Sequence, residues 1–145
     1  MPEQKTEKRE IPLREGAFYR PTSPGEKPYL IGSKCRNCGW VAFPKKVVCP
    51  ACVRDDTMQE MRLSGRGRIE SFAVARVAPT GFKAPYIQAF VDLAEGPRVF
   101  TMITGVEPAD DAVHEGQEVE VVIEKISTDE RGNDLIGWKF RPRGR

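Results

Sequence analysis

Two closely spaced pairs of cysteines constrain this chain more than any other feature of its sequence. Two residues separate Cys35 from Cys38, and two residues again separate Cys49 from Cys52. This spacing lets each tight turn present two sulfurs to one metal ion, and two such turns complete a tetrahedral site with no open position. We therefore predict that the four cysteines bind one structural ion and that none of them is free to act as a nucleophile.

Zinc is the ion that this spacing favours, and two other interpretations are left open by the sequence. A tetrahedral site of four sulfurs also suits iron. The cysteines can alternatively form two disulfides, although disulfides are rare in a reduced cytoplasm. Gly39 follows the first pair, where such a turn often requires a positive φ, whereas Val53 takes the corresponding place after the second pair. Val53 is expected to strain the second turn without removing a ligand.

The composition predicts a cytoplasmic globular protein. Hydrophobic residues make up 39% of the chain and charged residues 30%, which is typical of a folded domain rather than a disordered or membrane chain. No apolar run approaches the roughly 20 residues of a membrane-spanning helix. The charged first residues lack the apolar segment of a secretion signal. We expect no membrane contact.

From Gly65 onward the hydrophobic residues recur with a period of two, which predicts β-strands. Five segments follow the pattern: residues 69–77, 87–93, 99–103, 119–124 and 136–140. The sequence AEGP at 94–97 predicts a tight hairpin, and residues 107–117 form a longer link between the third and fourth strands. Five strands with one longer link predict a small Greek-key barrel of the OB type, with a β-sandwich as the alternative.

The residues before the cysteines predict an extended arm rather than a helix. Between residues 11 and 33 the chain contains four prolines and three glycines, a density that leaves no room for a long helix. The apolar residues of this segment are expected to pack on the protein's own core rather than on a partner. We thus predict a mainly β chain in three parts: an arm at 1–28, a zinc-binding ribbon at 29–63, and a barrel domain with a short basic tail at 64–145.

The charge distribution argues against a strong nucleic-acid footprint. Residues 34–68 carry eight basic and three acidic side chains, whereas residues 90–135 carry three basic and twelve acidic ones. Four thiolates on a zinc ion would further weaken the basic part. OB folds and zinc ribbons do bind nucleic acids, and five aromatic side chains offer stacking faces: Phe72, Phe82, Tyr86, Phe100 and Trp138. Most of these five are predicted to be core.

The sequence offers little for catalysis by this chain alone. His114 is the single histidine, and it stands beside Glu115 in an acidic segment that is predicted to be exposed. No serine occupies a G-x-S-x-G turn, and no phosphate-binding loop is present. We predict that the chain is not an enzyme by itself.

Several motifs taken together resemble a known family. They are Phe43-Pro44 between the cysteine pairs, Ser64-Gly65-Arg66-Gly67 before the first barrel strand, Pro85-Tyr86 at the second strand and Phe140-Arg141-Pro142 near the end. This combination, over residues 29–142, is similar to that of the acyl-CoA-associated OB-fold proteins that carry an N-terminal rubredoxin-like zinc ribbon. Many members open with a pair of helices that contain a Phe-Trp element, whereas this chain has its Pro-rich arm with Phe18-Tyr19.

The resemblance implies a noncatalytic accessory subunit of a thiolase-superfamily complex that acts on acyl-CoA esters. Such a subunit stabilises the catalytic chain and shapes the CoA channel, while the partner supplies the nucleophilic cysteine and the catalytic histidine. The expected CoA or partner contacts are Phe82, Lys83, Tyr86, Arg66 and Arg68. A free-standing acyl-CoA-binding protein is an alternative. Phe82 has an equal alternative, in which its ring folds back over its own barrel and does not contact the partner.

Overall fold

Ten strands and the loops between them make up residues 9–143, the part of the chain that this computed structural model describes. The strands are β1 (Glu10–Pro12), β2 (Phe18–Tyr19), β3 (Tyr29–Cys35), β4 (Val41–Ala42), β5 (Met58–Leu63), β6 (Arg66–Ala75), β7 (Tyr86–Leu93), β8 (Arg98–Ile103), β9 (Glu118–Thr128) and β10 (Asp134–Pro142). No residue from 9 to 143 is helical, so this part of the chain contains no helix that could cross a membrane. The predicted mainly β fold is confirmed.

Strands β6 to β10 form a closed five-stranded barrel. β7 lies between β6 and β8 in an antiparallel sheet, and β9 pairs antiparallel with both β6 and β10. The parallel contact of β10 with β8, at Phe140 and Ile103, completes the circle. This is the predicted OB-type barrel with the long link between its third and fourth strands, and closure excludes an open sandwich.

Alternating side chains of the barrel strands fill its interior, as the period of two predicts. The inward positions of β7 and β8 are almost fully buried: Ile87, Ala89, Val91, Leu93, Val99, Thr101 and Ile103. Phe140 of β10 is 0% exposed and is among the largest fully buried side chains. Each such apolar side chain contributes about 1.5–3 kcal/mol of transfer free energy when it leaves water.

The strict alternation predicted for the first barrel strand is wrong beyond Ile69. The register of β6 against β7 shifts between Ile69 and Ser71, which indicates a β-bulge. After the bulge Phe72 and Val74 pack against the core. β6 also ends at Ala75 rather than at residue 77, whereas β9 and β10 are longer than the segments that the pattern predicted.

The ribbon is a small antiparallel sheet built on β3. β5 lies along one side of β3, with pairs from Leu30–Leu63 to Cys35–Met58. β4 and the short β2 also pair with β3, at opposite ends of the strand. β3 thus ends on the first cysteine of the predicted metal site.

The N-terminal arm belongs to both sheets. β1 pairs parallel with β10, from Glu10–Asp134 to Pro12–Ile136, while β2 pairs with β3 in the ribbon. Ala17 of the arm is buried in the core. The predicted packing of the arm on the protein's own core is confirmed for Ala17 and Phe18, whereas Ile11 and Leu13 are 36% and 49% exposed. The sequence did not indicate that the arm would add strands.

Aromatic contacts fasten the ribbon to the barrel. Trp138 of β10 packs edge to face on Phe43 with ring centroids 5.0 Å apart, and on Phe18 at 6.2 Å. Leu30 and Leu63, both 0% exposed, belong to the same core cluster as the barrel interior. The two modules therefore share one continuous hydrophobic core.

We predict that a single added methyl group in the turn before β6 lowers the stability of the protein strongly. Gly65 has φ +78°, and a Cβ atom there would overlap the side chain of Val121. The substitution Gly65→Ala is expected to lower the free energy of unfolding by about 3 kcal/mol, because it adds both backbone strain and overpacking. Urea denaturation followed by circular dichroism measures this loss.

Gly132 is the matched control, since it has φ +83° but no atom within 4 Å of the position of an added Cβ. Gly132→Ala is expected to lower the free energy of unfolding by only about 1 kcal/mol, because it adds backbone strain without overpacking. Equal losses in the two variants would contradict the packing argument.

Candidate functional site

Two turns of the same form hold the cysteines. In the first, the amide of Gly39 donates a hydrogen bond to the carbonyl of Cys35, at 2.9 Å. In the second, the amide of Val53 donates to the carbonyl of Cys49, also at 2.9 Å. Both closing residues have positive φ, +83° for Gly39 and +61° for Val53. The strained position that the sequence predicted at Val53 is therefore present.

The two turns bring all four sulfur atoms together. The ligand atoms of Cys35, Cys38, Cys49 and Cys52 lie within 4.8 Å of one another. The sulfurs of Cys35 and Cys52 are 3.7 Å apart, and those of Cys38 and Cys49 are 3.4 Å apart. A tetrahedral ion with metal–sulfur bonds of about 2.3 Å requires sulfur separations of about 3.8 Å. The cluster fits such an ion, and the cysteines form no disulfide.

The surroundings of the sulfurs favour thiolates at one side of the cluster. The hydroxyl of Thr57, 3.1 Å from the sulfur of Cys35, lowers the pKa of that thiol to about 6. At Cys38 the backbone amide of Trp40 lowers the pKa, but the neighbouring Cys49 and burial together raise it to about 12. The pKa of Cys49 is lowered as well. The lowered pKa values at Cys35 and Cys49 favour metal binding, because thiolates are the form that binds metals.

The loop that joins β6 to β7 presents a half-covered aromatic ring. The amide of Phe82 donates a hydrogen bond to the carbonyl of Pro79 at 3.0 Å, which closes a turn at the loop tip. Phe82 is 36% exposed, and its ring lies 6.4 Å from that of Tyr86. Lys83 next to it is exposed. Phe82 is neither free in solvent nor a core residue.

A cavity of about 230 Å³ lies beside this loop. Its lining is mostly apolar and includes Leu13, Phe82, Tyr86, Phe100, Met102 and Trp138. The cavity therefore continues the apolar surface of the loop toward the arm.

Two outward-facing phenylalanines on β7 and β8 extend this surface, and the sequence analysis included neither among the expected CoA or partner contacts. Phe90 and Phe100 are 42% and 57% exposed, and their ring centroids are 5.1 Å apart. The prediction that most of the five aromatic residues are core is wrong: Phe72 and Trp138 pack against the core, whereas Phe82 and Phe100 are exposed and Tyr86 is half-buried. The signal was available, because Phe100 alternates with the buried Val99 and Thr101 and must point outward.

The structure does not bring the five predicted contact residues together. Phe82, Lys83 and Tyr86 lie at the β6–β7 loop, whereas Arg66 and Arg68 begin β6 at the other end of the hairpin. Six residues of strand lie between Arg68 and Ala75, a distance on the order of 20 Å. Arg68 is also engaged in an ion pair with Glu118 at 2.8 Å.

His114 is exposed, as the sequence predicted. Its Nδ1 atom lies 3.0 Å from the carbonyl oxygen of Glu115. The contact is local, and the histidine lies in the loop between β8 and β9 rather than beside the cysteine cluster.

Two family models match consecutive parts of the chain. The model described as the ChsH2 rubredoxin-like zinc ribbon domain matches residues 22–59, and the model described as the ChsH2 C-terminal OB-fold domain matches residues 60–124. The matched segments coincide with the ribbon and with most of the barrel.

Curated relatives and a solved structure agree with these matches. DUF35 domain-containing scaffold proteins of Methanocaldococcus jannaschii and Pyrococcus furiosus are 40% and 44% identical, each over 81% of this chain and 84% and 85% of their own lengths. The benzoylsuccinyl-CoA thiolase subunit BbsA of Thauera aromatica is 32% identical over 97% of this chain and 99% of its own length. A chain of the Ltp2-ChsH2(DUF35) aldolase matches with a TM-score of 0.63 and 29% identity, covering 79% of this chain and 84% of that one.

Proposed function

Because this chain belongs to the ChsH2 (DUF35) family, in which a rubredoxin-like zinc ribbon precedes an OB-fold domain, we propose that it is an accessory subunit of a thiolase-superfamily complex acting on acyl-CoA esters. The observation that carries the proposal is the match to a thiolase subunit over 97% of this chain and 99% of that subunit. Because the match covers 99% of that subunit, the subunit has no further domain that could account for its place in a thiolase. The matched Ltp2-ChsH2(DUF35) aldolase has two components in its name and supports the same kind of assembly.

The accessory role is noncatalytic. Thiolase chemistry needs a free thiolate nucleophile and a base placed within hydrogen-bond reach of the reacting atoms. The four cysteines of this chain lie in one cluster, and its one histidine is exposed in a loop. The partner therefore supplies the reacting groups, and this chain stabilises the partner and shapes its CoA channel. A cytoplasmic location for the complex is part of the same proposal.

The ion of the ribbon is zinc. Four thiolates in a closed tetrahedral arrangement give a structural site that needs no redox chemistry. Iron suits the same ligands, and metal analysis distinguishes the two ions. The valines that flank the second turn, Val47, Val48 and Val53, are exposed and bury little surface, whereas a structural zinc ion is worth an apparent ~10–16 kcal/mol in small finger peptides. The metal is thus the main stabiliser of this end of the ribbon.

The purified chain should contain close to one zinc ion per polypeptide. Replacing the buried Cys49 or the exposed Cys38 by serine is expected to remove the metal and reduce solubility, because three thiolates leave a weaker, open site. Inductively coupled plasma mass spectrometry measures both zinc and iron. A metal-free chain with two disulfides would overturn the assignment, and stoichiometric iron would replace zinc by the alternative ion.

A nucleic-acid role is not favoured by the charges of the barrel. The basic side chains beside β9 are paired with carboxylates: Arg141 with Glu120, Lys139 with Glu124, and both Arg68 and Arg143 with Glu118. A groove for single-stranded nucleic acid instead needs a continuous basic track.

Capture and reconstitution test the proposed function. The tagged chain, expressed in its native source, should retain a thiolase-type chain that peptide mass spectrometry identifies. The two chains, purified separately and mixed, should cleave or condense acyl-CoA, whereas this chain alone should not. Turnover by partner-free material, or the absence of any complex between the purified chains, would refute the proposal.

The β6–β7 loop is the proposed contact with the CoA channel. Phe82 packs at the partner surface or at the channel entrance, and Lys83 lies near the CoA phosphates. An exposed aromatic ring at a loop tip beside an apolar cavity supports this placement, since binding residues concentrate on loops of rigid barrels. Arg66 and Arg68 belong to a different surface, so any CoA contact of theirs is a second, separate one.

The double change Phe82→Ala and Lys83→Ala should weaken complex formation or raise the KM for acyl-CoA several-fold. Zinc content and the melting temperature of the isolated chain should hardly change, because Phe82 is not a core residue. Glu115→Ala is the control, since Glu115 is exposed and lies in the loop between β8 and β9, outside the β6–β7 loop. Should the double variant melt several degrees lower while the complex assembles and turns over normally, the loop has only a structural role.

A further inference from the structure

The cavity beside the β6–β7 loop has walls from distant parts of the chain. Leu13 belongs to the arm, Phe82 to the loop, Met102 to β8, Ile126 to β9 and Trp138 to β10. In OB folds, ligands bind on the face of the second and third barrel strands and on the loops beside it. These two strands are β7 and β8 here, and both contribute to the walls. The cavity, which we call the loop cavity, therefore lies where this class of fold holds a ligand.

The volume of the loop cavity limits its occupant to one ring system. It measures about 230 Å³. A cavity of about 150 Å³ lined by aliphatic and aromatic side chains holds one benzene molecule. A fused pair of rings such as a purine therefore fits the loop cavity, whereas two stacked ring systems do not.

Aromatic rings and an unpaired amide line the loop cavity together. The rings are those of Phe82, Tyr86, Phe100 and Trp138. Gln88 also lines the cavity, is half-buried, and its side-chain amide has no hydrogen-bond partner among the residues that the structure describes. A glutamine amide donates to and accepts from one ligand edge at once, and the edge of adenine that carries N6 and N7 matches this pattern. Adenine thus satisfies the rings through its faces and the amide through its edge.

A cation stands next to the ring site. Lys83 follows Phe82 in the chain, is exposed, and forms no ion pair within the described part of the chain. The neighbouring arginines are engaged, since Arg76 pairs with Asp110 and Arg98 with Asp92. A lysine ammonium is a compact point charge that binds phosphate. Lys83 and the loop cavity together match a ring with a phosphate beside it.

We propose that the loop cavity binds the adenine ring of a nucleotide, with Lys83 at one of its phosphates. CoA and free adenine nucleotides share this chemistry. With CoA as the source, the inference rests on the proposed function and adds the part of the CoA molecule that this chain holds. A single ring and a single cation make a site for one nucleotide, which agrees with the paired charges along β9.

The fluorescence of Trp138 measures this binding. The chain has two tryptophans, so the zinc-loaded variant Trp40→Phe keeps Trp138 as its reporter. CoA, adenosine 3′,5′-bisphosphate and AMP should each change the Trp138 emission along a saturable curve. In contrast, 4′-phosphopantetheine, which lacks the ring, should not change it. GMP should bind about tenfold more weakly than AMP, because guanine presents two acceptors at the edge where adenine presents a donor and an acceptor.

Phe100→Leu and Phe90→Leu form a matched pair of variants in the same background. The two rings are neighbours on the outer face of β7 and β8, but of the two only Phe100 lines the loop cavity. Phe100→Leu and Gln88→Leu should each raise the Kd for adenosine 3′,5′-bisphosphate about tenfold, through lost stacking and a lost hydrogen bond. Phe90→Leu should hardly change that Kd, and circular dichroism should show that all three variants fold.

The outcomes separate the site from the proposed function. Tighter binding of CoA than of AMP would support the site with CoA as its source, and equal binding would support it with free nucleotides as the source. An unchanged Trp138 emission at millimolar CoA and AMP, or equal binding of 4′-phosphopantetheine and CoA, would overturn the site and leave the proposed function intact. Nucleotide binding by a chain that assembles with no thiolase-type subunit would support the site and refute the proposed function.

Discussion

The packing of Trp138 between Phe18 and Phe43 is the contact on which the arrangement of the whole molecule depends. Phe18 belongs to the arm, Phe43 to the loop between the cysteine pairs, and Trp138 to the last barrel strand. These rings join the arm and the ribbon, which are too small to bury a core of their own, to the barrel, which has one. The orientation of the metal-binding turns relative to the barrel is therefore set by hydrophobic packing and not by the metal.

The metal site and the hydrophobic core stabilise different parts of the molecule, and this difference bears on function. Val47, Val48 and Val53 beside the second cysteine turn are exposed, so they bury little surface there and a tetrahedral ion is the group that can hold the turns. The barrel is instead closed by strand pairing and buried Val, Ile and Phe. Exposed apolar side chains occur on both modules, around Phe82 and Phe100 on the barrel and around Val53 on the ribbon. Two rigid modules with a fixed relative position suit a subunit that positions other groups rather than reacting itself.

The sequence predicted features that depend on local spacing and missed those that depend on distant pairing. Cys-x-x-Cys spacing is a local property, and the hydrophobic period of two defines the barrel strands without knowledge of their neighbours. The bulge after Ile69 exists only in the register of β6 on β7, and the separation of Arg68 from Lys83 follows from the direction of the hairpin. Strand β1 has three residues and pairs with residues more than a hundred positions away, so no sequence pattern indicates it.

That last pairing has a consequence for the order in which the molecule can be completed. Glu10 lies more than a hundred positions before its strand partner Asp134 in the chain. During synthesis the arm is therefore made well before β10, and it has no strand partner until β10 has been added. The joint between the arm and the barrel can close only after the ribbon and the other four barrel strands have been made.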